Sequence, residues 1–204
     1  MQYVKEASEA EMILAFLQGE WQSQRFMGKL KQAMEELSAS EKVIVQGDLT
    51  NAEENALRRE ILARHRGYPD EEMFERFPEI SEWHYVRFSE SDIDHVNYID
   101  YSYWNEISKY TSKPKKAAET IREGTEIYGV SNAPTWEGLE YLKENSFPPV
   151  ILITANDREY LIIEGHSRMT VYGMKPELLE GTYGYIGRCS PKSMHLYDKR
   201  EFLL

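Results

Sequence analysis

The residues Pro148-Pro149-Val150-Ile151-Leu152-Ile153-Thr154, followed by Tyr160-Leu161-Ile162-Ile163-Glu164-Gly165-His166-Ser167-Arg168-Met169-Thr170-Val171-Tyr172, decide the fold. Two apolar, β-branched runs flank an Asn156-Asp157 turn, which is the pattern of two neighbouring strands in a hairpin or tight connection. The second run ends in an acid and a glycine, and His-Ser-Arg then opens a helix that stops before Pro176. The first turn of a helix carries unpaired N–H groups at the positive end of its dipole, a setting that attracts anions. An arginine there adds a planar fork suited to phosphate. A cation at a helix start opposes the dipole unless an anion lies between them, so Arg168 itself argues for a ligand.

Working outward, Thr182–Gly187 reads as a last strand and Trp83, Tyr85, Val86 and Phe88 as an earlier one, with Ser91 as the cap of a short helix. Helices are expected over Lys115–Arg122 and Thr135–Glu144. Residues 5–38 read as helix, divisible where Gly19 and Gly28 weaken it. Val43-Ile44-Val45 is a short strand or buried turn. Asp48-Leu49-Thr50 offers caps for a helix to about Arg66, broken by Gly67-Tyr68-Pro69-Asp70. The expected class is α+β: a helical, acidic lobe over 1–80 and an α+β domain with a small mixed sheet over 81–204.

The chain has 204 residues and a net charge of −11, and the excess is uneven. Residues 147–204 hold seven basic and seven acidic side chains, leaving 17 basic against 28 acidic in residues 1–146. Duplex DNA is not an expected partner, since phosphate neutralisation needs a basic face. The acidic lobe is a candidate surface for a protein partner. No charged-then-apolar leader follows Met1 and no apolar run reaches membrane-span length, which predicts a cytoplasmic protein with no membrane contact. One cysteine, Cys189, excludes an internal disulfide and reads as a small buried residue. His84, His95 and His195 lack metal-ligand spacing, so no metal site is expected.

The order Leu139-Glu140-Tyr141-Leu142, Phe147-Pro148-Pro149-Val150-Ile151, a turn, Tyr160-Leu161-Ile162-Ile163 and Glu164-Gly165-His166-Ser167-Arg168 resembles the ParB/sulfiredoxin-like superfamily. The likeness spans about residues 83–188 and is sharpest over 147–174. It also resembles an uncharacterised bacterial group marked by Glu-Gly-His-x-Arg followed by Thr-x-Tyr, here Thr170-Val171-Tyr172. The resemblance implies nucleotide phosphates held at the turn, with ATP or another nucleotide and Mg²⁺ as the cofactor. The chain departs from sulfiredoxins, which need a cysteine where Gly165 stands. It departs from partition ParB proteins, which carry paired arginines in the turn and a DNA-binding domain after it. The free-serine kinases of the superfamily, with an acid-Gly-His-x-Arg turn, are the nearest variant. A ParB-like nuclease role is the weakest reading, given the acidic balance.

The expected phosphate-binding residues are therefore Gly165, Ser167 and Arg168; the resemblance adds Lys113 as a second contact, the alternative being that Lys113, Lys115 and Lys116 are a solvated helix start. Glu164 either caps the helix, accepting from the N–H of Ser167, or acts as a catalytic base or Mg²⁺ ligand. His166 either holds its neighbours or serves catalysis as donor or proton shuttle. The aromatic passage Tyr98–Trp104 either stacks a base or packs the core. The functional expectation is a nucleotide- or phosphate-binding protein, a phosphotransferase or nucleotide hydrolase if it turns over. The alternative is a non-catalytic nucleotide-sensing or protein-interaction module.

Overall fold

The computed structural model describes residues 1–23 and 25–204. Its centre is one six-stranded mixed sheet. In chain order the strands are β1 (Gln2–Ala7), β2 (Ile80–Arg87), β3 (Val96–Asn97), β4 (Val150–Thr154), β5 (Tyr160–Glu164) and β6 (Tyr183–Cys189). They lie side by side as β1-β2-β6-β4-β5-β3. β4 runs parallel to β6 and antiparallel to β5, and β3 parallel to β5; the remaining pairings are antiparallel. The hairpin read from the two apolar runs is the β4–β5 pair.

β4 is buried at every position, and the alternation along it shows why the sequence is apolar throughout. Ile151 and Ile153 belong to one hydrophobic cluster with Leu161 and Ile163 of β5, whereas Val150 and Leu152 join Ile162 in a second. The first cluster is closed by α1 (Glu9–Trp21), α2 (Met27–Glu36), α3 (Lys42–Val45) and α4 (Ala52–Arg66). The second is closed by α5 (Ser102–Ile107), α6 (Pro114–Arg122) and α8 (His166–Met174), with α7 (Ala133–Tyr141) lying outside α8. A last helix, α9 (Pro191–Tyr197), returns to the first face through Met194. No helix among the described residues is long and apolar enough to cross a membrane.

Several sequence expectations change. Gln2–Ala7 is an edge strand rather than part of a helix, and residues 5–38 hold two helices, α1 ending at Trp21 and α2 beginning at Met27, the division falling between Gly19 and Gly28 as read from the sequence. Gln24 lies outside the described residues. The helix starts at Glu9 because Ser8 and Glu11 form a reciprocal capping box. Val43–Val45 is helical. Asn51, not Asp48 or Thr50, caps α4 by accepting from the N–H groups of Glu53 and Glu54 at 3.0 and 3.1 Å, and Gly67 ends it with φ +78°. Ser89, rather than Ser91, caps the short 3-10 turn before β3. The helical segment 1–80 is therefore not separate from the sheet: it supplies β1, and its apolar faces share one cluster with β4 and β5.

Candidate functional site

β5 passes into α8 through a single residue. Gly165 has φ +100°, and a Cβ there would stand 2.7 Å from Val150 Cγ1, so both conformation and space demand glycine. No side chain caps α8, which corrects the expected capping role of Glu164. Its carboxylate turns instead to the Arg168 guanidinium one turn along the helix, and the pair is nearly buried. The anion that Arg168 requires at a helix start is thus supplied by the chain itself. The rest of its fork is occupied as well: Nη1 donates to the carbonyls of Pro148 and Pro149 at 2.6 and 2.9 Å.

A second buried ion pair stands behind the first. Glu20, near the end of α1, accepts from Arg66 Nη2 at 2.6 Å and meets His65 Nε2 at 3.0 Å. The Arg66 guanidinium lies 3.8 Å over the Phe26 ring. α1 approaches the turn through Gly19, where a Cβ would stand 2.8 Å from Arg168 Nη2 and 2.9 Å from Glu164 Oε1. Burial raises the Glu164 carboxyl above its ordinary range. Arg168 pulls it back down, and the charge of Glu20 adds to the rise.

His166 opens α8 beneath an aromatic wall. Its ring stacks on Trp104 at 5.2 Å and lies 6.1 Å from Tyr98, and Tyr98 in turn stacks on Trp104 at 4.5 Å. The Tyr98 hydroxyl bonds Thr170 Oγ1 at 2.7 Å. This part of the 98–104 passage therefore packs the wall of the turn. His166 Nε2 is buried without a partner among the described residues. Burial, followed by the charges of Arg66 and Arg168, pushes the imidazole down to about 3, so the ring is neutral at physiological pH. Ser167 is exposed on the same first turn.

The turn gathers Glu164, Gly165, His166, Ser167 and Arg168 but not Lys113. That side chain donates to Glu159 at 2.7 Å and to the Asp94 carbonyl at 2.8 Å. Glu159 precedes β5 and Glu164 ends it, so Lys113 sits about 16 Å away at the other end of the strand. Sequence reading missed Glu20, His65, Arg66 and Phe26. The available signal was Glu20 falling on the apolar stripe of Ile13, Phe16 and Leu17 in α1, where a charge needs a buried partner. Among the described residues no three His, Cys, Asp or Glu side chains gather into a metal cage, and Glu164 is held by Arg168. These residues do not fit a protein-held Mg²⁺; a nucleotide would bring the ion on its own phosphates. Cys189 is buried, donates to the Thr154 carbonyl at 3.5 Å and is pushed up to about 11 by burial, the behaviour of a packing residue.

No family model, no curated protein and no solved structure matches this chain.

Proposed function

We propose that the chain binds a phosphorylated small molecule, a nucleotide foremost, at the 164–168 turn, within a ParB/sulfiredoxin-like arrangement of residues 81–204. The observation that carries the reading is the uncapped first turn of α8, with exposed Ser167 beside a His166 Nε2 that has no partner. Backbone N–H groups there suit phosphate oxygens, and the neutral His166 ring suits a hydrogen bond to one of them. Arg168 takes part by exchanging Glu164 for the ligand. Glu164, released with its carboxyl raised by burial, is then held protonated and placed as a general acid toward the departing group, making phosphoryl transfer or nucleotide hydrolysis the economical chemistry. Lys113 has no part in it.

The test is thermal stability against a panel of nucleotides with and without Mg²⁺, using the intact chain and Ser167→Asp. The substitution places a negative charge on an exposed helix start, which suits the dipole and repels an anion. Ligand at about 100 times Kd adds about 2.7 kcal/mol of stability to the intact chain. The expected result is a shift lost in Ser167→Asp. No shift with any nucleotide, or one indifferent to the substitution, rejects the reading.

One observation favours binding without turnover. The Glu20–Arg66 pair ties α1 to α4, the Glu164–Arg168 pair ties β5 to α8, and α1 abuts the second pair at Gly19, so a ligand that opens the turn disturbs the contact between the two faces of the sheet. Phosphate release separates the two forms: turnover in the intact chain identifies an enzyme, and binding with none identifies a sensor.

A further inference from the structure

α7 is anomalous, because none of its nine residues is buried. A helix of this length is marginal in water without a packed face. It rests on α8 at Gly138, where a Cβ would stand 2.7 Å from Val171 Cγ2, with only the half-buried Leu139 reaching the second cluster and Tyr141 stacked on Phe147 at 5.6 Å. Its two aromatic side chains face solvent, Trp136 at 45% and Tyr141 at 43% exposure. With Leu139 and Leu142 they form one wall of an open groove whose other wall is Leu178 and Lys175, in the turn after α8.

The charge around this groove is acidic in excess: Glu137, Glu140 and Glu144 line it against Lys143 and Lys175. Residues 123–146 contain five glutamates and one lysine. Lys143 is paired with Glu140 at 2.6 Å, and Glu137 and Glu144 have no ion pair among the described residues. Several acids of the 1–80 segment, Glu11, Glu20, Glu36 and Glu54, are committed to ion pairs, and others there, such as Glu71 and Glu72, are exposed away from this groove. An apolar groove rimmed by uncommitted carboxylates complements a helix with an apolar face and basic flanks. A second copy of a chain carrying −11 would bring like charge to the same place.

We propose that the groove between α7 and the turn after α8 docks a basic amphipathic helical segment of a protein partner. Trp136 and Tyr141 are the anchors, and Glu137 and Glu144 set its charge and orientation. The surface is distinct from the 164–168 turn and does not depend on nucleotide binding there.

The test titrates the full chain with a fluorescent synthetic Leu/Lys amphipathic helix and with a Ser/Lys peptide of equal charge. The expected result is binding of the first peptide only. Trp136→Ser/Tyr141→Ser weakens it by about tenfold or more. Glu137→Gln/Glu144→Gln weakens it several-fold at low salt and less at high salt. Glu71→Gln/Glu72→Gln, two exposed acids elsewhere, leaves it unchanged. The carboxamide variant keeps the helix intact and decides the matter if the aromatic variant loses its fold. Equal binding of both peptides, equal loss in the Glu71/Glu72 control, or unchanged affinity in both groove variants overturns the proposal. A concentration-dependent dimer of the free chain, abolished by Trp136→Ser/Tyr141→Ser, also overturns it by making a second copy the occupant.

Discussion

Arg168 spends its guanidinium on Glu164 and on two proline carbonyls, all within a site that excludes most water. Removing one partner of such a pair strands the other charge. Arg168→Ala is expected to lower stability by about 3–5 kcal/mol, read as the urea midpoint, and Glu164→Leu/Arg168→Met is expected to recover most of the loss. An unaltered midpoint in the single variant would show that the pair is not formed in solution. His166 gives a second prediction, with its sign fixed by burial. Its folded value is about 3 against 6.5 for the free side chain. Below pH ~6.5 the unfolded chain therefore binds a proton that the folded chain refuses. Stability falls as pH drops from about 6.5 toward 3, by at most about 1.4 kcal/mol per unit. Glu164 acts oppositely. Its folded value is raised, so its contribution is greatest below the unfolded value near 4.5 and is lost as pH rises through the folded one. His166→Gln isolates the two: the loss of stability between pH 6.5 and 5 should flatten, and an unchanged slope would assign it to other groups.

At the scale of elements, α1 and α7 each meet α8 through a glycine, with different results. In an exposed helix interior, Gly→Ala gains about 1 kcal/mol. Gly19→Ala is expected to destabilise instead, because the added methyl enters the Glu164–Arg168 pair. Gly138→Ala is expected to loosen α7 from Val171, visible as faster amide exchange over 133–141 with the sheet amides unaffected. Those effects could not be read from the sequence, since they depend on which helix crosses which. The strands β4 and β5, the turn at Gly165 and the helix α8 were legible, because continuous apolar runs and a glycine before a polar triplet have few other solutions. β1 was hidden: Tyr3-Val4-Lys5-Glu6 is short, charged and exposed, and only its pairing with β2 makes it a strand. The α1 half of the site was hidden for a related reason. Glu20 and Arg66 are 46 positions apart, and periodicity is silent about contacts made across a fold.

At the scale of the molecule, a division near residue 80 would cut through one hydrophobic cluster. Ile151, Ile153, Leu161 and Ile163 pack with Met12, Phe16, Leu17 and Ile61 from the other side of the cut. Residues 81–204 expressed alone are expected to bind a hydrophobic dye and to lose sharp near-ultraviolet dichroism, while the full chain unfolds in a single transition. Two separate calorimetric transitions would contradict this. The Glu164–Arg168 pair has a consequence for the whole binding equilibrium. Any anion that takes Arg168 leaves a buried carboxylate without its counter-ion and beside a new negative charge, and such a group takes up a proton. Ligation at the turn should then be proton-consuming: tighter as the solution is acidified, with a calorimetric heat that changes with the ionisation enthalpy of the buffer. The site would answer to two solutes at once, the phosphorylated one and the hydronium ion.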